Sequence, residues 1–450
     1  MQSDILLQKR ALALIEQLRG RIFDPGLRVR HRRRPVDFSR ECRLTFSVLV
    51  VFLLQKSLKA LQARLHEMVW RLTEGAASWN LSAGALTHAR AKLRARAFVE
   101  LNQQGVLPLV YGAEHAALVQ RWRGHRLLAV DSSVVRLPKN QAVGKKFGWM
   151  ECANHRGMQE RYPQGRVSVL YDVLNEVALD ASLVAWKVAE EELAHGHLDW
   201  VQPGDLVLTD RGYTSYRWIL DVLARRAHFV SRCSRSSFGE AQSLFKQDRA
   251  GVSVLTTLRV TKEVKAECRQ QGWPLEVTVR LVTVRLETGE LEVLVTSLVD
   301  ETAYPTKEFA ALYWRRWGQE TYYGRLKGRM DLEHGSGLTL EAVEQDFAAT
   351  LLLSNVESVV IGPATSQLAQ RTAHREQPAK VNRAVSLHAL KSRLIDLLAS
   401  AVPAEKVLAE LTQWFQDNPV SVRPKRKVAR RKYSAACSYH YQRYVRKIVF

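Results

Sequence analysis

A chain of 450 residues, 46% of them apolar, is long enough for two to four folding units at roughly 100 to 200 residues each. Its 67 Lys and Arg against 45 Asp and Glu give a formal charge of +22 and a pI near 10.0, which calls for a polyanionic partner, with nucleic acid ahead of a membrane surface. The longest uncharged apolar run, 44–54, is too short to span a membrane, the first residues lack the features of a signal peptide, and five scattered cysteines without CxxC spacing describe neither a disulfide framework nor a zinc ribbon. The expectation is a soluble protein of a reducing cytoplasm.

Residues 1–125 read as helical, with apolar residues at helical spacing over 5–18 and 44–72. Between these stretches Arg28, Arg30, Arg32, Arg33 and Arg34 form a run closed by Pro35, cations that repel one another unless something neutralises them. Ser82 suits the N-cap of a third helix carrying Leu86, Ala89, Leu93 and Ala97 on one side, with His88, Lys92, Arg94 and Arg96 opposite or along the edges. Lys92 and Arg94 are thereby candidates for DNA phosphate contact, although a solvated basic surface gives the same pattern.

From residue 126 short β-rich runs take over, at 127–131, 134–137, 166–173, 177–186 and 206–209, followed by a helix at 215–226 and a strand at 229–232. A second β-rich block fills 236–303, with strands at 252–260 and 275–298; Glu287 to Glu290 reads as a hairpin turn within the latter. Helical periodicity returns at 307–330, 341–360, 387–400 and 405–416. The chain ends in Arg423, Lys425, Arg426, Lys427, Arg430, Arg431 and Lys432 followed by four tyrosines, a composition suited either to a nucleic-acid contact or to a solvated tail.

The chemistry is concentrated in three acids. Asp131 ends the apolar run Leu127-Leu-Ala-Val, and Asp210 ends Leu206-Val-Leu-Thr. A carboxylate at the end of a buried strand is costly to desolvate unless it is paired or binds a metal, although each alone could cap a turn. If the two strands are neighbours, their acids meet at one edge of the sheet, and an acid from a packed helix completes a set of hard oxygen donors. Glu320 is the candidate: on a helix over 312–327, Tyr313, Arg316, Glu320 and Lys327 fall within an arc of roughly 60°. On spacing alone this set could equally be ion pairs on a surface helix.

With those residues in view, the chain resembles the DDE transposases of bacterial insertion sequences, and among them the insertion-sequence-four family with its signature Tyr-x2-Arg-x3-Glu-x6-Lys. Tyr313, Arg316, Glu320 and Lys327 complete that signature, while Ala129 to Pro138 and Asp205 to Tyr213 resemble the family's other two regions. The resemblance extends over roughly residues 40–360. It implies an RNase H-like core with both aspartates on adjacent strands, the glutamate on a later helix, and two Mg²⁺ ions, replaceable by Mn²⁺, held by Asp131, Asp210 and Glu320. It also implies a β insertion, here 236–303, that holds the transposon end and stabilises a DNA hairpin. In relatives a tryptophan of this insertion stacks on a flipped base; Trp273 is the one tryptophan of the block, and a packing role suits it equally.

The expected fold class is therefore α+β or mixed, an RNase H-like core interrupted by a β-rich insertion, between helical N- and C-terminal regions. The expected segments are 1–125, a helical DNA-binding region; 126–235, the first part of the core; 236–303, the insertion; 304–365, the second part with the catalytic helix; and 366–450, a helical and basic region. The expected activity is cut-and-paste transposition on double-stranded DNA, at terminal inverted repeats and target, by a homodimer. A structure-selective nuclease on the same core, or a domesticated DNA-binding relative, is the alternative. Arg316 and Lys327 are expected to hold phosphates and Tyr313 to donate to one, with Arg211 either on a phosphate or paired with Asp210. Rival motifs are weak: His195-Gly-His197 has no companion ligands of the HExxH kind, and Lys145-Lys-Phe-Gly148 lacks a Walker glycine pattern.

Overall fold

The structure is a computed structural model and describes residues 2–40, 42–56, 60–75, 81–153, 159–287 and 289–422. The basic, tyrosine-rich segment from Arg423 onward lies outside the described residues, as does Thr288 of the expected hairpin turn. The chain forms two compact units, one from Met1–Val119, Val134–Gly165 and Gly324–Phe450, the other from Gln120–Ser133 and Arg166–Tyr323.

The first unit is mainly helical. Among its helices are Gln2–Phe23, Pro25–His31, Phe46–Gln55, Leu61–Leu72, Ala83–Arg90, Leu340–Val360, Gly362–Thr372, Arg383–Leu398 and Ala404–Asp417. Leu340–Val360 is buried on nearly every side, as is Phe46–Gln55, and the other helices pack around them. No single helix among the described residues is long and apolar enough to cross a membrane. The arginine run folds because acids meet it: Arg30 and His31 pair with Glu100, Arg33 with Glu341 and Arg34 with Asp37. Ser82 does cap its helix, accepting from the Ala85 amide at 3.1 Å. That helix stops at Arg90 rather than continuing through Ala97, because Gln345 takes the carbonyls of Arg90 and Leu93 at 3.0 and 2.8 Å. The helical stretch expected over 44–72 is likewise two helices, with Lys56 at the break donating Nζ to the Asp331 carbonyl at 2.7 Å.

Strands enter one large mixed sheet: β1 Leu127–Arg136, β2 Trp149–Ala153, β3 Gln159–Asp172, β4 Val177–Ala185, β5 Leu206–Thr209, β6 His228–Arg232, β7 Ser253–Arg259, β8 Glu276–Arg285 and β9 Leu291–Thr296. In the second unit the order runs β3-β1-β5-β6-β9-β8-β7, with β4 pairing β3. The β1–β5 and β5–β6 pairs are parallel; β6–β9, β9–β8 and β8–β7 are antiparallel. Leu127 to Val130 and Leu206 to Thr209 are buried at every position, the signature of parallel strands covered on both faces. The core here joins Leu127, Ala129, Leu206, Leu208, Val230 and Leu294 with Phe309, Leu312 and Tyr313 of a helix.

In block 236–303, β9 pairs directly with β6, so β7 to β9 prolong the same sheet. It also contains two helices absent from the sequence reading, Gly239–Gln247 and Lys262–Gln271, and Trp273 follows the second of these, half-buried. The helix expected over 307–330 is two helices, Phe309–Trp314 and Trp317–Gly328.

Candidate active site

Register brings the two aspartates together. β1 and β5 run parallel with Leu127 opposite Leu206 and Ala129 opposite Leu208, so continuing the ladder sets position 131 against position 210 at the shared carboxyl edge. Asp131 sits where burial of β1 relaxes, and its Oδ1 accepts from the Ser132 amide at 2.8 Å. Asp210, just past the end of β5, caps the turn Arg211–Tyr213 by accepting from the Arg211 amide at 2.7 Å.

Glu320 approaches through a guanidinium. Arg316 reaches Glu320 Oε1 with Nη2 at 3.2 Å and faces Asp131 Oδ2 with Nη1 at 3.9 Å, while only 3% exposed. Asp210 also acts on Arg316 electrostatically, so all three acids surround one cation. Among the described residues, no three Asp, Glu, His or Cys side chains close on a common point as ligands of one ion. Their oxygens face arginines and backbone amides.

The helix carrying Glu320 is fixed to the sheet from several sides. Tyr323 donates its hydroxyl to the Asp131 carbonyl at 2.7 Å, Gln319 donates to the Val169 carbonyl at 2.7 Å, and Tyr322 stacks on Tyr171 at 4.2 Å. The break before this helix is a tightened turn, with successive three-residue hydrogen bonds from Arg315 to Leu312, Arg316 to Tyr313, Gly318 to Arg315 and Gln319 to Arg316. Tyr313 and Arg316 therefore do not share the regular helix of Glu320. The Arg316 guanidinium lies 5.5 Å from the ring centres of both Tyr313 and Trp317.

The sequence reading did not single out Arg232, at the end of β6. Its Nε meets Asp210 Oδ1 and its Nη1 meets Glu292 Oε1 of β9, each at 2.6 Å. The rule that flagged the aspartates, a charge closing a buried apolar run, applies equally to Arg232 after Phe229-Val-Ser and could have found it. Beside Asp131, Arg166 donates to Ser132 Oγ at 2.9 Å and pairs with Glu190, a further acid that the sequence reading passed over.

These neighbours split the two aspartates electrostatically. Burial pushes the Asp131 carboxyl up to about 6; the Ser132 amide and Arg316 oppose that shift, and Glu190 and Asp210 add to it. Burial acts on Asp210 in the same sense, but the Arg211 amide and the guanidiniums of Arg316 and Arg232 outweigh it and hold its carboxyl below the ordinary range.

The other expected site residues are placed as follows. Tyr313 is not a surface donor: it is 3% exposed within the core, its hydroxyl donates to the Thr209 carbonyl at 3.2 Å, and burial pushes its pKa up. Lys327 belongs to the first unit, where Nζ donates to the Val134 carbonyl at 2.7 Å and burial lowers its pKa. Arg211 is exposed and serves Asp210 through its amide, while the ion pair comes from Arg232. Lys92 lines a cavity of about 760 Å³ with Arg34, Arg40, Arg43 and His88, and Arg94 is exposed nearby in sequence. His195 and His197 are bound instead to Asp221 and Asp180, at 2.5 and 2.7 Å.

Comparison with known proteins matches residues 122–356 to the family model described as the transposase DDE domain, more than half of the chain. The chain belongs to the DDE transposase family. A curated relative, the transposase InsG of insertion sequence element IS4 from Escherichia coli (strain K12), is 28% identical over 248 residues, which are 52% of this chain and 52% of that protein. The chain thus spans about half the length of the curated relative it matches. Among solved structures, the cryo-EM piggyBac transposase synaptic complex with hairpin DNA gives a TM-score of 0.39 at 11% identity, over 96% of this chain and 90% of that one. Asp131, Asp210, Glu320 and the signature residues all fall inside the DDE match, whereas Lys92 and Arg94 fall outside it.

Proposed function

We propose that the chain is a DNA transposase that cleaves and transfers strands with Asp131, Asp210 and Glu320 as its catalytic carboxylates. The observation that carries this reading is the meeting of Asp131 and Asp210 at the carboxyl edge of two adjacent parallel strands, with Glu320 drawn to Asp131 through Arg316. The order β4-β3-β1-β5-β6 supports an RNase H-like core, with β7 to β9 added beyond β6.

The donor chemistry fits hard divalent cations. All three candidates are carboxylates, and Asp131 is buried where ionisation is costly, a cost that a divalent cation would offset. Asp131, Asp210 and Glu320 would hold two Mg²⁺ ions, or Mn²⁺ in their place. When bound, such a pair activates the attacking oxygen and stabilises the leaving one in an in-line phosphoryl displacement.

The chain's own residues supply the rest. Arg232 holds the Asp210 carboxylate through a 2.6 Å contact, and Tyr323 fixes the backbone of Asp131. Arg316, Arg211 and Lys327 are the cations offered to DNA phosphates, and Tyr313 packs in the core of the second unit. Lys92 and Arg94, in the helical N-terminal region, are further cations for the inverted repeats, in keeping with the charge of +22. The reaction joins two element ends to a target and therefore calls for a homodimer in a synaptic complex, in the cytoplasm of a bacterial host.

The test is the purified full chain with Mg²⁺ on labelled duplex carrying the inverted repeats that flank the gene. The expected result is a nick that frees a 3′-hydroxyl, followed by joining to a target plasmid. Glu320→Gln should bind the same duplex and not cut it. Cleavage by that variant at the unmodified rate overturns the assignment.

A further inference from the structure

Two arginines compensate the three acids, and they are held differently. Arg232 makes two contacts of 2.6 Å, one of them to Glu292, a residue outside the triad. Arg316 contacts its acids at 3.2 and 3.9 Å, longer than the roughly 2.7–2.9 Å of a charge-assisted hydrogen bond. Its Nε is buried with no hydrogen-bond partner. Both acids that it pairs with belong to the triad, and what packs its plane is the pair of rings of Tyr313 and Trp317. A buried guanidinium so incompletely satisfied is held mainly by the field of the acids, whereas Arg232 is fixed by its bond to Glu292.

We infer that Arg316 is the exchangeable counter-cation of these carboxylates: it lies between them until divalent cations bind and then yields that space, swinging between the two aromatic rings toward the DNA phosphate. This rests on the proposed role of Asp131, Asp210 and Glu320. It makes Arg316 a positioning residue with two stations. In the first it spares Asp131 and Glu320 from mutual repulsion, and in the second it is released to a phosphate only when the site is loaded. Arg232 does not exchange, so Asp210 keeps its aim throughout.

The experiment is Mn²⁺ binding to the DNA-free full chain, by calorimetry and by thermal unfolding, for the unmodified protein, Arg316→Gln and Asp131→Asn. Removing a competing unit charge a few ångströms from the ions should tighten Mn²⁺ binding at least about tenfold in Arg316→Gln while lowering the unfolding temperature of the metal-free protein. A merely structural arginine gives the lower unfolding temperature without the tighter binding. In the unmodified protein, arginine-selective labelling read by peptide mass spectrometry should leave Arg316 protected without Mn²⁺ and reactive with it, a measurement that needs no variant to fold. Unchanged or weaker Mn²⁺ binding in Arg316→Gln, or equal protection with and without Mn²⁺, overturns the inference. If the unmodified chain binds Mn²⁺ no differently from Asp131→Asn, the triad assignment itself fails.

Discussion

Removing the Arg232 side chain should destabilise the second unit by more than an ordinary surface ion pair, and most of that cost should be recoverable by a second substitution. Arg232 joins Asp210 and Glu292 at 2.6 Å each, and the Glu292 side chain is only 5% exposed. Arg232→Met leaves the Glu292 carboxyl in a buried place without its cation, a loss of roughly 3–5 kcal/mol for a fully buried pair. Because the Asp210 side chain is 30% exposed and water can serve it, about 3 kcal/mol is the figure for this site. Glu292→Gln alone should cost about 1–2 kcal/mol, since Arg232 retains Asp210. In Arg232→Met with Glu292→Gln the stranded charge is gone, so the double variant should be more stable than the sum of the singles by about 2 kcal/mol. Urea unfolding of the four proteins, metal-free and near neutral pH, measures that coupling. A coupling below about 0.5 kcal/mol would show that the two side chains do not act as one unit, and that Arg232 is not pinned as described.

The raised pKa of Asp131 sets a pH dependence whose sign is definite. Folding lifts this carboxyl from 3.8 to about 6, so the folded state holds the proton more tightly than the unfolded one, and ionisation costs stability. The cost is complete above about pH 6 and absent below about pH 4, and for a side chain 21% exposed it amounts to about 2–3 kcal/mol. Asp131→Asn, which keeps an acceptor for the Ser132 amide, should therefore be the more stable metal-free protein near neutrality and lose that advantage on acidification; a variant less stable at neutral pH contradicts this. In the first unit, Arg90 bonds Gln345, Ser336, the Ala342 carbonyl and Asp346 at 2.7, 2.7, 2.9 and 2.5 Å, nearly all of it buried. Arg90→Met should cost about 3–5 kcal/mol in thermal or urea unfolding, and a loss under about 1 kcal/mol would mean that Asp346 finds another partner.

Elements that a local pattern defines were legible from sequence, because period and caps are local properties. The run 206–209 is a strand with those same bounds, and Ser82 caps its helix. Two of the misread boundaries coincide with a side chain from far along the chain, whereas the break at Arg315 and Arg316 is a local tightened turn. Gln345 stops the helix at Arg90 from 255 residues away, and Lys56 breaks another by reaching Asp331. Nothing in the local composition announces either contact. The site divides in the same way. Asp131 and Asp210 stood out as charges closing apolar runs, and the register of two parallel strands is what makes them meet. Glu292 lies within the buried strand β9, and only the pairing of β9 with β6 reveals its partner.

The break at Arg315 and Arg316 shows where the spacing argument departs from the folded geometry. On one straight helix Tyr313, Arg316 and Glu320 share a face, and all three would look toward the acids. In the folded chain the tightened turn advances each residue by about 120° instead of 100°, which stacks Arg316 directly over Tyr313, whose ring is buried in the core. The spacing between Tyr313 and Arg316 is thus the period of a turn, and that between Arg316 and Glu320 the i,i+4 step of a helix, which their ion pair records. A tyrosine at the first position is explained by its hydroxyl, which reaches the carbonyl of Thr209, the residue before Asp210. The same four-residue signature therefore clamps β5 behind one acid, sets a guanidinium between two others and presents Glu320, so substitution of Tyr313 should disturb the position of Asp210 before it disturbs any contact with DNA.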